Sequence, residues 1–177
     1  ARGMMFLHQH RVIHRDLKPG NILLDEKFQP HITDFGFAKI LNFGSFTHSL
    51  SCGTSYYMAP EIISGNSYDM KADVYSFGII MYEVITEAIP FPLLESKKMT
   101  LDTFNDKVTK EDYRPTFTVP IKKSFRTLIE RCWSKDPKDR PTFEEIFNKL
   151  AFNGGLMTDI FDENEGASEN DYCLDDG

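Results

Sequence analysis

The run from Val74 to Ile85 constrains this chain more than any other feature of its sequence. A helix drawn over Tyr68 to Thr86 is apolar on most sides, so it has little to offer water and belongs in the centre of a fold. The run is too short to span a bilayer, and Glu83 sits inside it. A chain of 177 residues is long enough to wrap such a helix in one domain with a real core. Other helical patterns flank it. Ile121, Phe125, Leu128, Ile129, Cys132 and Trp133 recur at helical spacing. Thr142 and Glu145 make a capping-box pattern in front of the apolar positions Phe143, Ile146, Phe147 and Leu150. Met4 to Leu7 reads as the end of a largely buried helix. Ile22 to Leu24 and His31 to Thr33 are β-prone, and residues 25–30 between them predict a hairpin loop. The proline-interrupted stretch 87–120 predicts a connection with room for one short helix. The fold expected from these patterns is mainly α, with one small β-hairpin.

Charge divides the chain. The net charge is -7, yet the stretch from Ala151 to Gly177 alone holds eight Asp or Glu residues and no Lys or Arg. The remainder carries 20 basic against 19 acidic residues, so no basic surface points to nucleic acid or to an anionic membrane. The acidic tail, 153–177, has weak periodicity and is expected to be disordered. Cys52, Cys132 and Cys173 are scattered and unpaired by any CxxC spacing, which fits a reducing compartment better than a disulfide framework. With no secretory signal or membrane segment in view, the expected location is cytoplasmic.

Three motifs carry the chemistry, in fixed order. The first is His14-Arg15-Asp16-Leu17-Lys18-Pro19-Gly20-Asn21, the second Asp34-Phe35-Gly36, the third Ala59-Pro60-Glu61. Taken singly, an Asp before Phe-Gly is a turn residue and an Asn is a loop residue. Taken together the set is specific, since the fixed positions of the first motif alone arise by chance at roughly one in a billion per starting point. The set resembles the catalytic loop, metal loop and activation-segment end of eukaryotic-type protein kinases. The resemblance covers Ala1 to about Phe152, and it implies the large, C-terminal lobe of that fold, with the small N-terminal lobe absent from this sequence.

What the resemblance implies is residue-specific. Phosphoryl transfer needs positioning and charge neutralisation more than covalent help. Asp34 and Asn21 would hold Mg2+ beside the phosphates of ATP, which suits the oxygen-only chemistry of that ion. Asp16 would accept or orient the proton of the substrate hydroxyl. Lys18 would put positive charge at the γ-phosphate, and Leu23 would floor the adenine pocket. His14 and Phe35 would be scaffolding, packed on each other. Asp73 would anchor the catalytic loop backbone, and Glu61 would pair with Arg140 in the body. Arg15 would meet a phosphate on the activation segment, for which Thr47, Ser49 and Ser51 are the candidate carriers.

Lys18 with Gly53-Thr54 resembles serine/threonine kinases, so the implied partner is a protein with a Ser or Thr acceptor. Thr54 would shape the acceptor pocket beside Asp16 and Lys18. Phe37 leans the choice towards serine. Arg131-Cys132-Trp133 through Arg140-Pro141, and Tyr113-Arg114-Pro115, resemble the tyrosine-kinase-like group. Neither a glycine-rich phosphate loop nor a Val-Ala-Ile-Lys strand occurs in these 177 residues, so the stretch alone is expected not to transfer phosphate. Competing readings are a pseudokinase or truncated scaffold or decoy that binds protein partners, and a small-molecule kinase related to aminoglycoside phosphotransferases. The latter share the Asp and Asn loop but not Ala59-Pro60-Glu61 or its Arg140 partner.

Overall fold

The computed structural model describes residues 1–40, 55–152 and 172–173. The chain opens with helix α1 (Arg2–Gln9), followed by the short strand β1 (Val12–Ile13). Strands β2 (Ile22–Leu24) and β3 (Pro30–Ile32) form the expected hairpin, in the register Ile22 opposite Ile32 and Leu23 opposite His31. Asp25 builds its turn, since its carboxylate accepts the amides of Lys27 and Gln29 at 2.8 and 2.9 Å. Strand β4 (Lys39–Ile40) pairs back onto β1, with Val12 opposite Ile40. The short helix α2 (Pro60–Ile63) takes Pro60 at its first position, where the missing N–H costs nothing. Then come α3 (Lys71–Thr86), α4 (Pro92–Glu95), α5 (Leu101–Lys110), strand β5 (Ile121–Lys122), α6 (Lys123–Cys132), α7 (Phe143–Phe152) and strand β6 (Tyr172–Cys173).

Helix α3 is the hub that its composition predicts. Val74, Tyr75, Ile79, Ile80, Met81 and Tyr82 are all buried, and the helix packs mainly against α6. Gly78 makes that packing possible. A Cβ on it would lie 2.8 Å from the Cβ of Cys132, so only a residue without a side chain lets the two helices approach so closely. Glu83, the charge inside the apolar run, accepts from the hydroxyl of Tyr57 at 2.7 Å. The capping box forms as expected: the amide of Thr142 donates to Glu145 Oε2 at 2.7 Å, and the amide of Glu145 donates to Thr142 Oγ1 at 3.2 Å.

Four expectations need correction. Helix α1 is not largely buried: Met4 is, but Phe6 is 60 % exposed. The stretch 87–120 holds two helices rather than one, because Thr100 supplies an N-cap for α5 by accepting the amide of Thr103. Ile121 belongs to a strand rather than to the helix that follows. Among the described residues the single hairpin is one of three two-stranded antiparallel ladders, since β1 with β4 and β5 with β6 also pair. The last of these draws Tyr172 and Cys173 of the acidic tail into the fold; the rest of that tail lies outside the described residues.

Candidate active site

The site grows out of a loop that the helical body holds in an unfavourable backbone conformation. Arg15 sits at φ 72°, a left-handed conformation that a long side chain rarely adopts. Such a residue persists only where its surroundings over-determine it. Here that constraint is Asp73 of α3, which is 1 % exposed. Its Oδ2 accepts the amide of His14 and its Oδ1 the amide of Arg15, both at 2.9 Å. His8 of α1 adds a third contact, Nε2 to Asp73 Oδ2, also at 2.9 Å. One carboxylate on the central helix therefore fixes the two residues in front of Asp16.

His14 is wholly buried and its ring is committed on both sides. Nε2 donates to the carbonyl of Thr33 at 2.9 Å, and Nδ1 accepts the amide of Asp16 at 3.4 Å. Neither nitrogen is left for proton transfer with a substrate. Its ring meets Phe35 edge-on at 5.3 Å, so the scaffolding role expected for this pair matches the geometry.

The three polar residues of the catalytic loop converge on one oxygen. Asp16 Oδ2 accepts Lys18 Nζ at 2.8 Å and Asn21 Nδ2 at 3.0 Å. The Asn21 amide nitrogen also donates to the backbone carbonyl of Asp16 at 2.7 Å. Asn21 is buried, and with its nitrogen so engaged its carbonyl oxygen Oδ1 is the atom with lone pairs to give. Asp34 arrives through the hairpin. The carbonyl of Asn21 accepts the amide of Thr33 at 2.9 Å and its hydroxyl at 3.3 Å, so the residue before Asp34 lies against Asn21. Asp34 is exposed, at φ 60°, a conformation Asp tolerates, and caps the turn Phe35–Phe37 by accepting the amide of Gly36 at 3.3 Å.

Hard oxygens from an amide and a carboxylate, on neighbouring strands of backbone, fit a magnesium ion that takes its remaining ligands from phosphates and water. Leu23, on the same hairpin, is 56 % exposed, as a residue must be to meet a flat ligand. A separate surface hollow of about 520 Å³ lined by Asp112, Arg114, Trp133 and Asp136 shares no residue with this cluster and has none of its chemistry.

The supporting ion pair is bidentate. Arg140 Nη1 reaches Glu61 Oε1 at 2.6 Å and Nη2 reaches Oε2 at 2.8 Å. Arg140 is 1 % exposed and also donates to the carbonyls of Ser134 and Lys71, while Lys71 Nζ donates to the carbonyl of Arg140. Arg140 and Arg114 both stack on the buried ring of Tyr75, at 5.2 and 5.1 Å, and burial raises that phenol to about 12. Tyr56 and Tyr57 tie the far end of the activation segment to the body through Glu95 and Glu83. Donating its hydrogen bond to the Glu95 carboxylate raises the Tyr56 hydroxyl to about 12. Arg15 donates to the carbonyl of Phe37 at 3.2 Å and lies over Tyr68. Thr47, Ser49, Ser51 and Thr54 fall outside the described residues.

Sequence reasoning did not single out His8 or Thr33. A signal for His8 existed: it follows Met4 by four positions and so shares the buried face of α1, where a polar ring needs a partner. Thr33 had no such signal, because its role is carried by backbone groups.

Comparison with known proteins gives the family of the chain. Residues 1–152 match the protein kinase domain model. A dual specificity protein kinase of Dictyostelium discoideum, shkD, is 40% identical over 151 residues, which are 85% of this chain and 20% of that protein. A putative serine/threonine-protein kinase/receptor of Acanthamoeba polyphaga mimivirus is 40% identical over 164 residues, 92% of this chain and 9% of the relative. A probable LIM domain-containing serine/threonine-protein kinase of Dictyostelium discoideum is 38% identical over 150 residues, 85% of this chain and 15% of its own. The chain thus spans a fifth or less of the length of these relatives. With the three motifs in order, the loop anchored by Asp73 and the model matched from Ala1 to Phe152, the chain belongs to the protein kinase domain family.

Proposed function

We propose that this chain is the large lobe of an ATP-dependent protein serine/threonine kinase of the tyrosine-kinase-like group. One observation carries the reading. Lys18 and Asn21 both bond Asp16 Oδ2, which leaves Oδ1 as the oxygen that faces an incoming hydroxyl. Asp16 orients that hydroxyl and takes its proton as the bond to phosphorus forms. Lys18, held beside it by the ion pair, meets the negative charge of the transferring group. Asn21 Oδ1 and the Asp34 carboxylate would hold Mg2+, which would supply positive charge to neutralise the phosphates of ATP. Leu23 lies under the adenine. Asp73, His14 and Thr33 fix the backbone that carries these side chains.

Serine/threonine choice rests on Lys18 and on the names of the relatives, one of which is dual specificity. The tyrosine-kinase-like assignment rests on Arg114, whose Nε donates to the carbonyl of Trp133 at 2.8 Å, joining the two sequence motifs that suggested the group. The exposed apolar residues Leu23, Leu24, Phe28, Phe35 and Ile40 are on the hairpin side of the molecule, and we assign their cover to a small lobe in the complete protein. A cytoplasmic setting fits the free, buried Cys132, whose thiol burial raises to about 12.

The test is transfer of labelled γ-phosphate by the complete protein to a mixed Ser/Thr/Tyr substrate, followed by phosphoamino acid analysis. Phosphoserine and phosphothreonine are expected, with loss of transfer in Asp34→Asn and none from the 177 residues alone. Transfer that survives Asp34→Asn at the wild-type rate would remove the metal assignment and leave a binding module in kinase form.

A further inference from the structure

Tyr68 is buried in the connection between α2 and α3, outside the three motifs, and none of the roles given to Asp16, Lys18, Asn21 and Asp34 calls on it. Its neighbour in space is Arg15, the residue before Asp16. The guanidinium carbon of Arg15 lies 5.6 Å from the centre of the Tyr68 ring. Burial pushes the Tyr68 hydroxyl above its ordinary value, while the charge of Arg15 and a side-chain hydrogen bond with it pull the other way. Ring and oxygen therefore both meet the guanidinium, the ring by its negative face and the oxygen as an acceptor.

The same guanidinium reaches the metal loop. Arg15 Nη1 donates to the carbonyl of Phe37 at 3.2 Å. Phe37 is the last residue of the short turn that Asp34 caps. Two amides close that turn, Gly36 onto Asp34 Oδ1 at 3.3 Å and Ala38 onto the carbonyl of Phe35 at 3.0 Å. Asp34, Phe35, Gly36 and Phe37 are all exposed, so the turn has little burial to keep it in one shape. An arginine reaching across a surface gives up much rotamer freedom for one hydrogen bond to a carbonyl. Seating its head on a buried aromatic selects the reaching rotamer in advance. Asp73 fixes Arg15 at its amide, and Tyr68 fixes it at the far end of the side chain.

We propose that Tyr68 is a positioning residue for the metal loop: it seats the Arg15 guanidinium against the carbonyl of Phe37 and so fixes the turn that presents Asp34. The use made of Asp34 rests on the kinase reading, whereas the clamp itself needs only two side chains and a carbonyl. Through it Arg15 ties the position of Asp34 to the loop that carries Asp16.

Hydrogen exchange on the complete protein, free of nucleotide and metal, reads the clamp at the amides of Gly36 and Ala38. Tyr68→Leu should raise exchange at both by about tenfold and leave the amide of Ile129, inside α6, unchanged. Arg15→Met should raise the same two amides, and Tyr68→Leu added to it should raise them no further. Because Tyr68→Leu also empties part of a packed site, Tyr68→Phe is measured beside it. That variant keeps the ring, loses the acceptor, and should give a smaller rise at the same two amides. In transfer assays Tyr68→Leu should need severalfold more Mg2+ for its half-maximal rate, with most of the defect removed at saturating Mg2+. The proposal fails if both Tyr68 variants exchange like the wild type at Gly36 and Ala38, or if the effect of Tyr68→Leu adds in full to that of Arg15→Met. It also fails if Tyr68→Leu speeds exchange at Ile129 as much as at the turn while Tyr68→Phe leaves the turn unchanged. A wild-type protein without transfer would remove the kinase reading and leave exchange to decide the clamp.

Discussion

Two carboxylates on opposite sides of one loop show how this fold divides its labour. Asp73 and Asp16 are both ringed by donors, yet they are built for different ends. Asp73 projects from the central helix, is all but inaccessible, and spends both oxygens on the amides of His14 and Arg15 and on His8. Asp16 retains 13% of its side-chain exposure and concentrates its donors, Lys18 and Asn21, on a single oxygen. The buried group is saturated and holds the backbone. The partly exposed group keeps its second oxygen clear of Lys18 and Asn21, which is the oxygen the proposed function uses. The Glu61–Arg140 pair belongs with Asp73: it is fully engaged, far from the reacting atoms in sequence, and structural.

Substitutions should separate the two kinds of carboxylate. The largest effect is expected at Asp16, but only in activity. Asp16→Asn in the complete protein should lower kcat by about 10²–10⁴-fold, while the thermal midpoint hardly moves; an equal loss of stability would erase the contrast with Asp73. Arg140→Met should act the other way. It strands the Glu61 carboxylate in a buried site and should cost about 3–5 kcal/mol, read as a lower urea midpoint.

Asp73→Asn comes next. It turns charge-assisted bonds into neutral ones and should cost about 1.5–3 kcal/mol, with a fall in kcat at unchanged KM for ATP because the loop before Asp16 loosens. A rise in KM alone would mean that Asp73 does not position the loop. The smallest effect is at the capping box, which serves as a control remote from both. Thr142→Ala should cost about 0.5–2 kcal/mol and leave kcat alone. The hydrogen bond from the amide of Thr142 holds the Glu145 carboxyl below its ordinary value. A depressed value in the folded state means that its contribution is present above the ordinary glutamate range and fades as pH falls through the folded value. The wild-type advantage over Glu145→Gln in urea midpoints should therefore shrink on acidification.

The candidate site was legible because its chemistry is written in contiguous motifs. Asp16, Lys18 and Asn21 lie within one turn of chain, and the hairpin that carries Asn21 to Asp34 has β-prone arms with Asp25 in the loop. The resemblance implied Asp73 as the anchor of the motif, and its carboxylate does accept the amides of His14 and Arg15. What could not be read was that His8, before the catalytic loop, shares that carboxylate, because no spacing announces the contact. The second and third ladders escaped notice for a related reason. Two-residue strands have no periodicity to detect, and the pairing of Ile121–Lys122 with Tyr172–Cys173 joins segments separated by two helices.

Sequence by itself determined the main helices and the order of the motifs: a central helix too apolar to face water, a capping box that starts α7, and an Asp, Lys and Asn set in the order of the protein kinase catalytic loop. Those are local matters, settled by propensity, periodicity and the functional groups of neighbouring residues. Only the tertiary structure decided which oxygen of Asp16 is committed, that Arg15 is held left-handed by a carboxylate from another helix, and that Gly78 admits Cys132 at its side. Each of these depends on a distance between residues remote in the chain, and such distances are set by how the buried faces pack together rather than by any segment alone.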